Sequence, residues 1–285
     1  MVAFLLSQCP FERAEGLESN VTESSGVLYG VVDRVATITL DRPEVRNALN
    51  RTATAELVRL LRLADQDRAV KCILIQGSGE NFSAGGDVKS FNATMELSPQ
   101  ERSAYFEETM LLGNRLPVAL LECSKPIVAA TRGAVAGAGV GLCLAADFVV
   151  AAESTYFFLA HVHIGLSIDC GVSSLLVGAT GIKTAKRLAL LGERVSADEA
   201  LSIGFITKVV EEGSLNLEAQ KLTAKLAKGP ATAIAGSKAL LNRAAFQGLS
   251  EMLAAEARSI AKCAATEDFR KGVQGMLGRT AVEFE

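Results

Sequence analysis

The sequence predicts an α/β core followed by an all-helical C-terminal part. Runs rich in β-branched residues alternate with helical periodicity several times before residue 211, which is typical of strands joined by helices. After residue 214 no segment has the pattern of a strand, and four successive stretches have the spacing of amphipathic helices. We therefore predict a flexible N-terminal extension (residues 1–26), an α/β core (27–213) and a helical region (214–285) that is a candidate for contacts between subunits.

The first half of the predicted core begins with a hairpin. Two β-rich runs in VLYGVVDRVATITL meet near Asp33 and Arg34. Asn50 is a typical helix-capping residue, and the leucines that follow it recur at helical spacing. KCILIQG then predicts a short buried strand, SGENFSAGGD a loop, and the segment up to about residue 123 a helix.

The second half repeats the alternation without a clear sequence repeat. PIVAATRG predicts a strand, AVAGAGVGLCLAA a glycine-rich turn that leads into an apolar helix, and DFVVAAE another strand. SIGFITKVVE predicts the last strand before the helical region. This alternation gives the core enough apolar segments for one large hydrophobic interior.

Composition narrows the class of protein. A formal charge of −3 argues against a nucleic-acid partner. The six cysteines are scattered, which favours free thiols in a reducing compartment over a disulfide framework or a metal site. The apolar run near the start is too short for a secretion signal, and no run reaches the length of a membrane span. We therefore expect a cytoplasmic protein that binds no membrane and no metal.

Two glycine-rich turns could carry chemistry. FSAGGD and RGAVAGAGVGL each follow a predicted strand and precede a predicted helix, so backbone N–H groups are exposed there. Each alone is explained equally well by a tight turn or by close helix packing. The glycines of the second turn form GxGxG, which does not fit the dinucleotide-binding pattern, and no GK[ST] follows as a phosphate-binding loop requires. Together, two convergent N–H donors can form an oxyanion hole.

These turns belong to a set of segments that resembles the crotonase superfamily, the enoyl-CoA hydratase/isomerase family. The resemblance rests on ITLDRPEVRNALN, FSAGGDVKSF, KPIVAATRGAVAGAGVGLCLAADFVVAA, HIGLSIDCG and LLGERVSADEALSIGFITKVV, in that order. It implies an α/β spiral of ββα repeats with a helical C-terminal trimerisation region, and a homo-oligomer that is a trimer or a hexamer. It also implies an acyl-CoA substrate, with no cofactor besides the CoA that is part of this substrate.

The resemblance assigns roles to residues of both turns. The backbone N–H groups of Gly86 and Ala138 would hold the thioester oxygen. The family often carries a Lys-Arg pair near its C-terminus, whereas this chain has Gly278-Arg279, which puts that contact with the adenine in doubt. Residues expected along the CoA groove are Arg46, Ala48, Ala84, Asp87, Lys89 and Gly141.

The departures from the family pattern concern the catalytic positions. Hydratases of the family use two glutamates, and this chain has Gly141 and His161 at those positions, which disfavours hydration. Asp169 matches the aspartate of isomerase-type members that carry an IGLxxDxG stretch, so it is the expected catalytic base. His161 is either a proton donor opposite Asp169 or a buried core histidine. We expect a structural role for His163.

Three functions remain open at this point. The first is isomerisation of an unsaturated or cyclic acyl-CoA through an enolate, with Asp169 moving the proton. The second is hydrolytic C–C cleavage or decarboxylation on the same fold with His161 and Asp169. The third is binding of acyl-CoA without catalysis, which the loss of both hydratase glutamates suggests. The mass of the product separates the first two, and proton exchange at the acyl α-carbon separates the third from the first.

Overall fold

The structure is a computed structural model that describes residues 25–284, so nearly all of the predicted N-terminal extension lies outside the described residues. The described part of the chain forms a mixed α/β fold whose strands are all complete before residue 211. The strands are β1 Val27–Val32, β2 Val35–Leu40, β3 Cys72–Gly77, β4 Ile127–Thr131, β5 Ala134–Ala136, β6 Phe148–Ala152, β7 Tyr156–Phe158, β8 Arg194–Ser196 and β9 Lys208–Val210.

Six of these strands form the main sheet in the order β1-β2-β3-β4-β6-β9. β1 and β2 are the predicted hairpin, antiparallel and paired from Val27 with Leu40 to Val32 with Val35. Asp33 and Arg34 form its two-residue turn with φ of 49° and 69°, the left-handed conformation that such turns require. The other neighbouring pairs are parallel, so the strands from β2 onward end at one edge of the sheet.

The remaining strands, β5, β7 and β8, form a second sheet that the sequence did not predict. Each has three residues, which is too short for a period-two pattern to be recognised. β5 and β7 pair in parallel, and β8 adds to β7 in the antiparallel direction. β5 leads into the second glycine-rich turn and β7 leads to the stretch with the two histidines, so the pairing of these strands brings the starts of both segments side by side.

The first helix confirms its predicted cap. α1 Arg51–Gln66 follows Asn50, whose side chain accepts a hydrogen bond from Ala53 N–H at 2.8 Å. The helix predicted to run to about residue 123 is in fact three helices: α2 Val88–Asn92, α3 Pro99–Gly113 and α4 Arg115–Glu122. A capping box of Ser98 with Glu101 starts α3, so the chain breaks where that side-chain pair satisfies the free N–H groups.

Four helices follow in the rest of the core: α5 Ala138–Ala145, α6 Val172–Thr180, α7 Ile182–Leu191 and α8 Ala197–Ser202. Short 3-10 turns cover Pro43–Val45, Ala160–Ile164 and Glu212–Ser214. The predicted boundary at residue 213 therefore falls in a turn between the last strand and the C-terminal helices.

The four predicted C-terminal helices are present as α9 Leu215–Ala227, α10 Ala231–Ala245, α11 Leu249–Ala264 and α12 Glu267–Gly278. α9 packs on the main sheet, where Leu215 and Ala219 join the core residues of β3, β4 and β6. α11 and α12 return to the core instead. Phe269 of α12 packs edge-to-face on Phe106 of α3, with ring centroids 5.0 Å apart. These contacts close one side of the site described next.

Candidate active site

A cavity of about 290 Å³ lies where the two glycine-rich turns meet helices α3 and α12. Its wall combines backbone and polar groups at one end with apolar side chains at the other. The turns contribute Ala84, Gly86, Gly137 and Ala138, and the apolar part includes Phe91, Tyr105, Met110, Leu112, Leu116, Ile164, Leu166 and Met276. A cavity of this size with a few converging polar groups is the usual form of a small-molecule site.

The two glycine-rich turns approach each other closely because of two glycines. Gly85 has a φ of 84°, and a Cβ at this position would lie 2.5 Å from the Ala136 carbonyl oxygen and 3.1 Å from Ala138 N. Gly137 has a φ of 48° and ends β5 at the start of α5. A side chain at Gly85 would force the two backbones apart, whereas at Gly137 it is the left-handed φ that favours glycine.

This approach leaves two backbone donors at the cavity. Gly86 and Ala138 both line it, and within residues 25–284 neither N–H donates a hydrogen bond to another protein group. The neighbouring amides are engaged: Asp87 N–H donates to the Leu49 carbonyl and Gly137 N–H to the Phe158 carbonyl. Two free, fixed N–H groups at one end of a cavity are the arrangement that stabilises a developing oxyanion.

Asp169 and His161 meet at the same cavity. Asp169 Oδ1 and His161 Nε2 lie 3.0 Å apart, and the two residues are 8% and 6% exposed. His161 belongs to the 3-10 turn Ala160–Ile164, and Asp169 lies in the loop that leads into α6. The side chains are hydrogen-bonded to each other, so His161 does not stand opposite Asp169 across the cavity.

The bond between them favours one tautomer of a neutral histidine. With Asp169 ionised, Nε2 of the neutral imidazole donates to Oδ1, and Nδ1 carries the lone pair. That Nδ1 is buried and has no hydrogen-bond partner among the described residues. The pair therefore retains one unused acceptor on the imidazole and one carboxylate oxygen of Asp169 that does not face His161.

The predicted groove residues fall into two groups. Ala84 lines the cavity, whereas Ala48 is buried beside it, and Asp87 caps α2 by accepting from Lys89 N–H at 3.1 Å. The side chains of Arg46 and Lys89 are exposed, which is consistent with contacts to a charged group in solvent. The predicted interactions of these residues with CoA stay predictions.

Gly141 does not reach the cavity wall. It is buried in α5, where a Cβ would come within 3.0 Å of the Cys170 carbonyl oxygen and 3.1 Å of Cys170 Cβ. The backbone of the Asp169 loop thus occupies the space that a side chain at position 141 would need. The structure separates this residue from the groove residues with which the sequence grouped it.

Arg42 is a residue that sequence reasoning missed. Its guanidinium donates to the Ala48 carbonyl at 2.6 Å and to Asp87 Oδ2 at 3.3 Å. It therefore ties the loop that follows β2 to the first glycine-rich turn. A signal for it was its place in the segment ITLDRPEVRNALN, four residues before Arg46.

Two other residues of the histidine stretch have packing roles. His163 Nε2 lies 2.9 Å from the Gly192 carbonyl oxygen, and its ring stacks on Phe158 at 5.4 Å, which matches the structural role predicted for it. Cys170 is buried beside Asp169, and burial together with the Asp169 carboxylate raises the pKa of its thiol well above the ordinary range. Cys170 therefore remains a thiol at neutral pH.

The charges around the cavity are few. Asp169 is the one acidic side chain among its lining residues in the described part of the chain. Arg51, the one cationic side chain there, forms an ion pair with Glu108 at 2.7 Å and lies over the Tyr105 ring. No three His, Cys, Asp or Glu side chains within residues 25–284 are grouped as metal ligands, and no helix in that range combines the length and apolarity needed to cross a bilayer.

Comparison with known proteins identifies the family of the chain. Residues 31–285 match the sequence model of the enoyl-CoA hydratase/isomerase family. The chain is 33% identical over 258 residues to the trans-2-decenoyl-[acyl-carrier-protein] isomerase of Streptococcus mutans and, at the same identity and length, to the 1,2-epoxyphenylacetyl-CoA isomerase of Escherichia coli. Each alignment covers 90% of this chain and 97% of the relative.

Solved structures with enoyl-CoA hydratase names share the fold. The crystal structure of an enoyl-CoA hydratase from Mycobacterium avium subsp. paratuberculosis superposes with a TM-score of 0.83 at 32% identity, covering 91% of this chain and 98% of that one. The fold and the site thus define a crotonase-type α/β protein. The chain belongs to the enoyl-CoA hydratase/isomerase family.

Proposed function

We propose that this protein is an acyl-CoA isomerase that moves a proton within an unsaturated or cyclic acyl thioester. Asp169 is the catalytic base in this proposal, and the N–H groups of Gly86 and Ala138 bind the thioester oxygen. Two of the relatives described above are isomerases by name, one of them acting on a CoA thioester. CoA is part of the substrate, and the proposed reaction needs no further cofactor.

The observation that supports isomerisation most directly is the single carboxylate at the cavity. Addition of water through two glutamates needs two acidic groups, and Asp169 is the one acidic side chain among the described lining residues. One base is sufficient for an isomerisation because the carboxyl group that takes a proton from one carbon then gives a proton to another carbon, and in deuterated water the proton held on the carboxyl exchanges with solvent before it is returned. Isomerisation therefore needs no acid or base at the cavity besides Asp169.

The proposed steps conserve every atom of the substrate. The free carboxylate oxygen of Asp169 takes a proton from an acidic carbon of the acyl group, and the electron pair of the broken C–H bond moves into the conjugated system. The thioester oxygen gains negative charge and accepts hydrogen bonds from Gly86 and Ala138. Protonated Asp169 then returns the proton to a different carbon, the double bond forms at its new position, and the product has the mass of the substrate.

His161 supports Asp169 in this scheme. A hydrogen bond from Nε2 holds Oδ1 and orients the other oxygen toward the substrate. The imidazole is buried, so this orientation is kept without competition from water.

The apolar end of the cavity favours an uncharged acyl group. Phe91, Met110 and Leu116 supply hydrocarbon surface there, and the nearby Arg51 is already paired with Glu108. A carboxylate on the acyl chain would be buried at this end of the cavity without a free cation to pair with, which is costly. We therefore propose an uncharged unsaturated or cyclic acyl chain as the substrate class.

The test is a panel of acyl-CoA thioesters incubated with the protein in deuterated water. The proposal expects uptake of deuterium at the carbon next to the thioester for at least one uncharged acyl chain, together with a rearranged product that in ordinary water has the mass of the substrate. The Asp169→Asn variant is the matched control and should lose both. Stabilisation of the fold by acyl-CoA without any exchange would instead indicate a protein that only binds the thioester.

A second candidate reaction is supported by the His161–Asp169 bond itself. A carboxylate that orients an imidazole whose other nitrogen is free is also the arrangement of a general base for water. His161 would then activate water for C–C bond hydrolysis, or the pair would assist decarboxylation. Either reaction changes the mass of the acyl group, so mass spectrometry of the product separates it from isomerisation.

We also propose that the protein assembles as a homo-oligomer, a trimer or a hexamer, through its C-terminal helices. Leu240 and Leu241 of α10 are 71% and 69% exposed in the single chain, and a second copy would cover them. Light scattering after size exclusion should give the mass of three or six chains. The double variant Leu240→Glu and Leu241→Glu should shift the measured mass toward that of a single chain.

A further inference from the structure

Glu256 lies on α11, far in sequence from the proposed catalytic residues, yet its side chain is buried against the loop that carries Asp169. The residue is 4% exposed. Its Oε2 accepts a hydrogen bond from Gly171 N–H at 2.8 Å, and its Oε1 accepts one from Ser173 N–H at 2.9 Å. Both carboxylate oxygens therefore bind the backbone within four residues of Asp169.

The loop held in this way has an unfavourable conformation of its own. Cys170 has a φ of 54° and Gly171 a φ of 79°, and the first of these is unusual for a residue with a side chain. Val172 N–H donates to the Asp169 carbonyl at 3.0 Å, so the start of α6 and the backbone of Asp169 are one unit. A restraint on this helix start is also a restraint on Asp169.

Among the described residues, Glu256 is the side chain that accepts hydrogen bonds from the backbone at this helix start. α6 begins at Gly171 without a side-chain cap from its own segment, and a helix N-terminus leaves N–H groups that need acceptors. Glu256 supplies those acceptors from a helix 85 residues further along the chain. It does not line the cavity, so it makes no direct contact with a substrate there.

We infer that Glu256 is a positioning residue that fixes the Asp169 loop, so that attachment of α11 sets the geometry of the proposed base. This inference rests on the proposed function, in which Asp169 transfers the proton. Both oxygens of Glu256 are needed as acceptors. A glutamine offers one acceptor and turns an NH₂ group toward the second N–H, whereas an aspartate keeps the charge but is one methylene shorter.

The experiment compares Glu256→Gln and Glu256→Asp with a matched control, Asn114→Ala. Asn114 Nδ2 donates to the Leu253 carbonyl at 2.9 Å, so it anchors the same helix without touching the Asp169 loop. For each variant of the full chain, kcat and KM are measured on the active thioester. Deuterium exchange of the backbone amides is followed by mass spectrometry over residues 170–175.

Glu256→Gln is expected to lower kcat by at least about tenfold with little change in KM, because small displacements of a reacting group are costly for the chemical step. The amides of Gly171 and Ser173 should exchange faster. Glu256→Asp should recover part of the lost kcat, and Asn114→Ala should lower the melting temperature while kcat stays within about twofold of wild type.

The inference is overturned if Glu256→Gln keeps the wild-type kcat, or if Asn114→Ala lowers kcat to the same extent. A wild-type protein that exchanges no substrate proton on any thioester would instead overturn the proposed function. In that case the amide measurement decides on Glu256: unchanged protection at residues 170–175 in Glu256→Gln overturns the inference, and lost protection supports its hold on the loop.

Discussion

Asp169 and His161 form a buried hydrogen-bonded pair, with 3.0 Å between Oδ1 and Nε2, at the end of a cavity where two backbone N–H groups are free. The pairing has a chemical consequence. One carboxylate oxygen is held by the imidazole, and Asp169 also lines the cavity. Because the bond couples the two residues, the relative effects of replacing Asp169 and replacing His161 distinguish isomerisation from hydrolysis or decarboxylation.

Replacing Asp169 with Asn removes the proposed base at almost constant shape. Uptake of deuterium at the substrate carbon should fall by roughly 10²- to 10⁴-fold, the usual contribution of a general base. Isotope incorporation followed by mass spectrometry measures this loss, and circular dichroism checks that the fold is retained. Exchange at the wild-type rate in a folded Asp169→Asn protein would exclude Asp169 as the base.

Replacing His161 with Gln tests whether the imidazole supports the base or is itself the base. If His161 only orients Asp169, the loss of rate should be at least tenfold smaller than for Asp169→Asn, a difference of about 1.4 kcal/mol in the activation barrier. Turnover of both variants on one substrate gives the comparison. An equal or larger loss in His161→Gln, together with a product of changed mass, would favour the hydrolase or decarboxylase instead.

Gly85 provides a test of the proposed oxyanion hole that leaves the side chains of Asp169 and His161 intact. A Cβ at this position would lie 2.5 Å from the Ala136 carbonyl oxygen, and the φ of 84° is strained for alanine. Gly85→Ala should therefore displace Ala138 N and lower turnover by roughly 10²- to 10³-fold, the cost of losing one donor.

The matched control for that variant is Gly213→Ala. Gly213 is exposed, has no atom within 4 Å of an added Cβ, and lies in the turn before α9, far along the chain from both glycine-rich turns. Its turnover should equal that of the wild type. Full activity in Gly85→Ala would mean that the two turns do not form the oxyanion hole.

Much of this site follows from local sequence signals. The Asp33-Arg34 hairpin turn, the Asn50 cap and the two glycine-rich turns were predictable because each depends on residues within a few positions of one another. The catalytic candidates came from the order of the segments that resemble the family. Asp169 and His161 are eight positions apart, and the 3-10 turn that contains His161 turns the chain so that the two side chains meet.

The rest of the site depends on contacts that leave no periodic pattern. In the sequence, Glu256 has the pattern of any polar residue on an amphipathic helix. It reaches Gly171 because α11 packs on α3 and α6. The three-residue strands β5, β7 and β8 are too short to give an alternation. Gly141 was singled out because it matches the first hydratase glutamate, and the sequence does not show that the backbone of Cys170 fills the space beside it.

The cysteine beside the base should be unreactive. Burial and the Asp169 carboxylate raise the pKa of the Cys170 thiol, so its reactive thiolate is scarce at pH 8, whereas Cys263 is partly exposed. Iodoacetamide should alkylate Cys263 of the native protein well before Cys170, as peptide mass spectrometry would measure. In denaturant the two should react at similar rates. Fast native labelling of Cys170 would show that the Asp169 loop opens in solution.

Glu256 should also leave a signature in the pH dependence of stability. Burial is the largest influence on this carboxyl and raises its pKa above the ordinary value of 4.5, against the opposing effect of its hydrogen bonds to Gly171 and Ser173. A raised pKa means that the folded protein binds this proton more tightly than the unfolded chain. The stability contributed by the group is therefore fully present below pH 4.5 and is lost as the pH rises through the folded-state pKa.

The glutamine of Glu256→Gln does not titrate, so comparing the wild type with this variant isolates the contribution of the Glu256 carboxyl. Across the window above pH 4.5, the free energy of unfolding of the wild type minus that of Glu256→Gln should fall as the pH rises, by at most about 1.4 kcal/mol per pH unit. Urea unfolding at a series of pH values measures both proteins, and the subtraction cancels the carboxyl groups that they share. A difference that instead rises with pH would mean that the hydrogen bonds to the helix start outweigh burial and hold the pKa of Glu256 below 4.5.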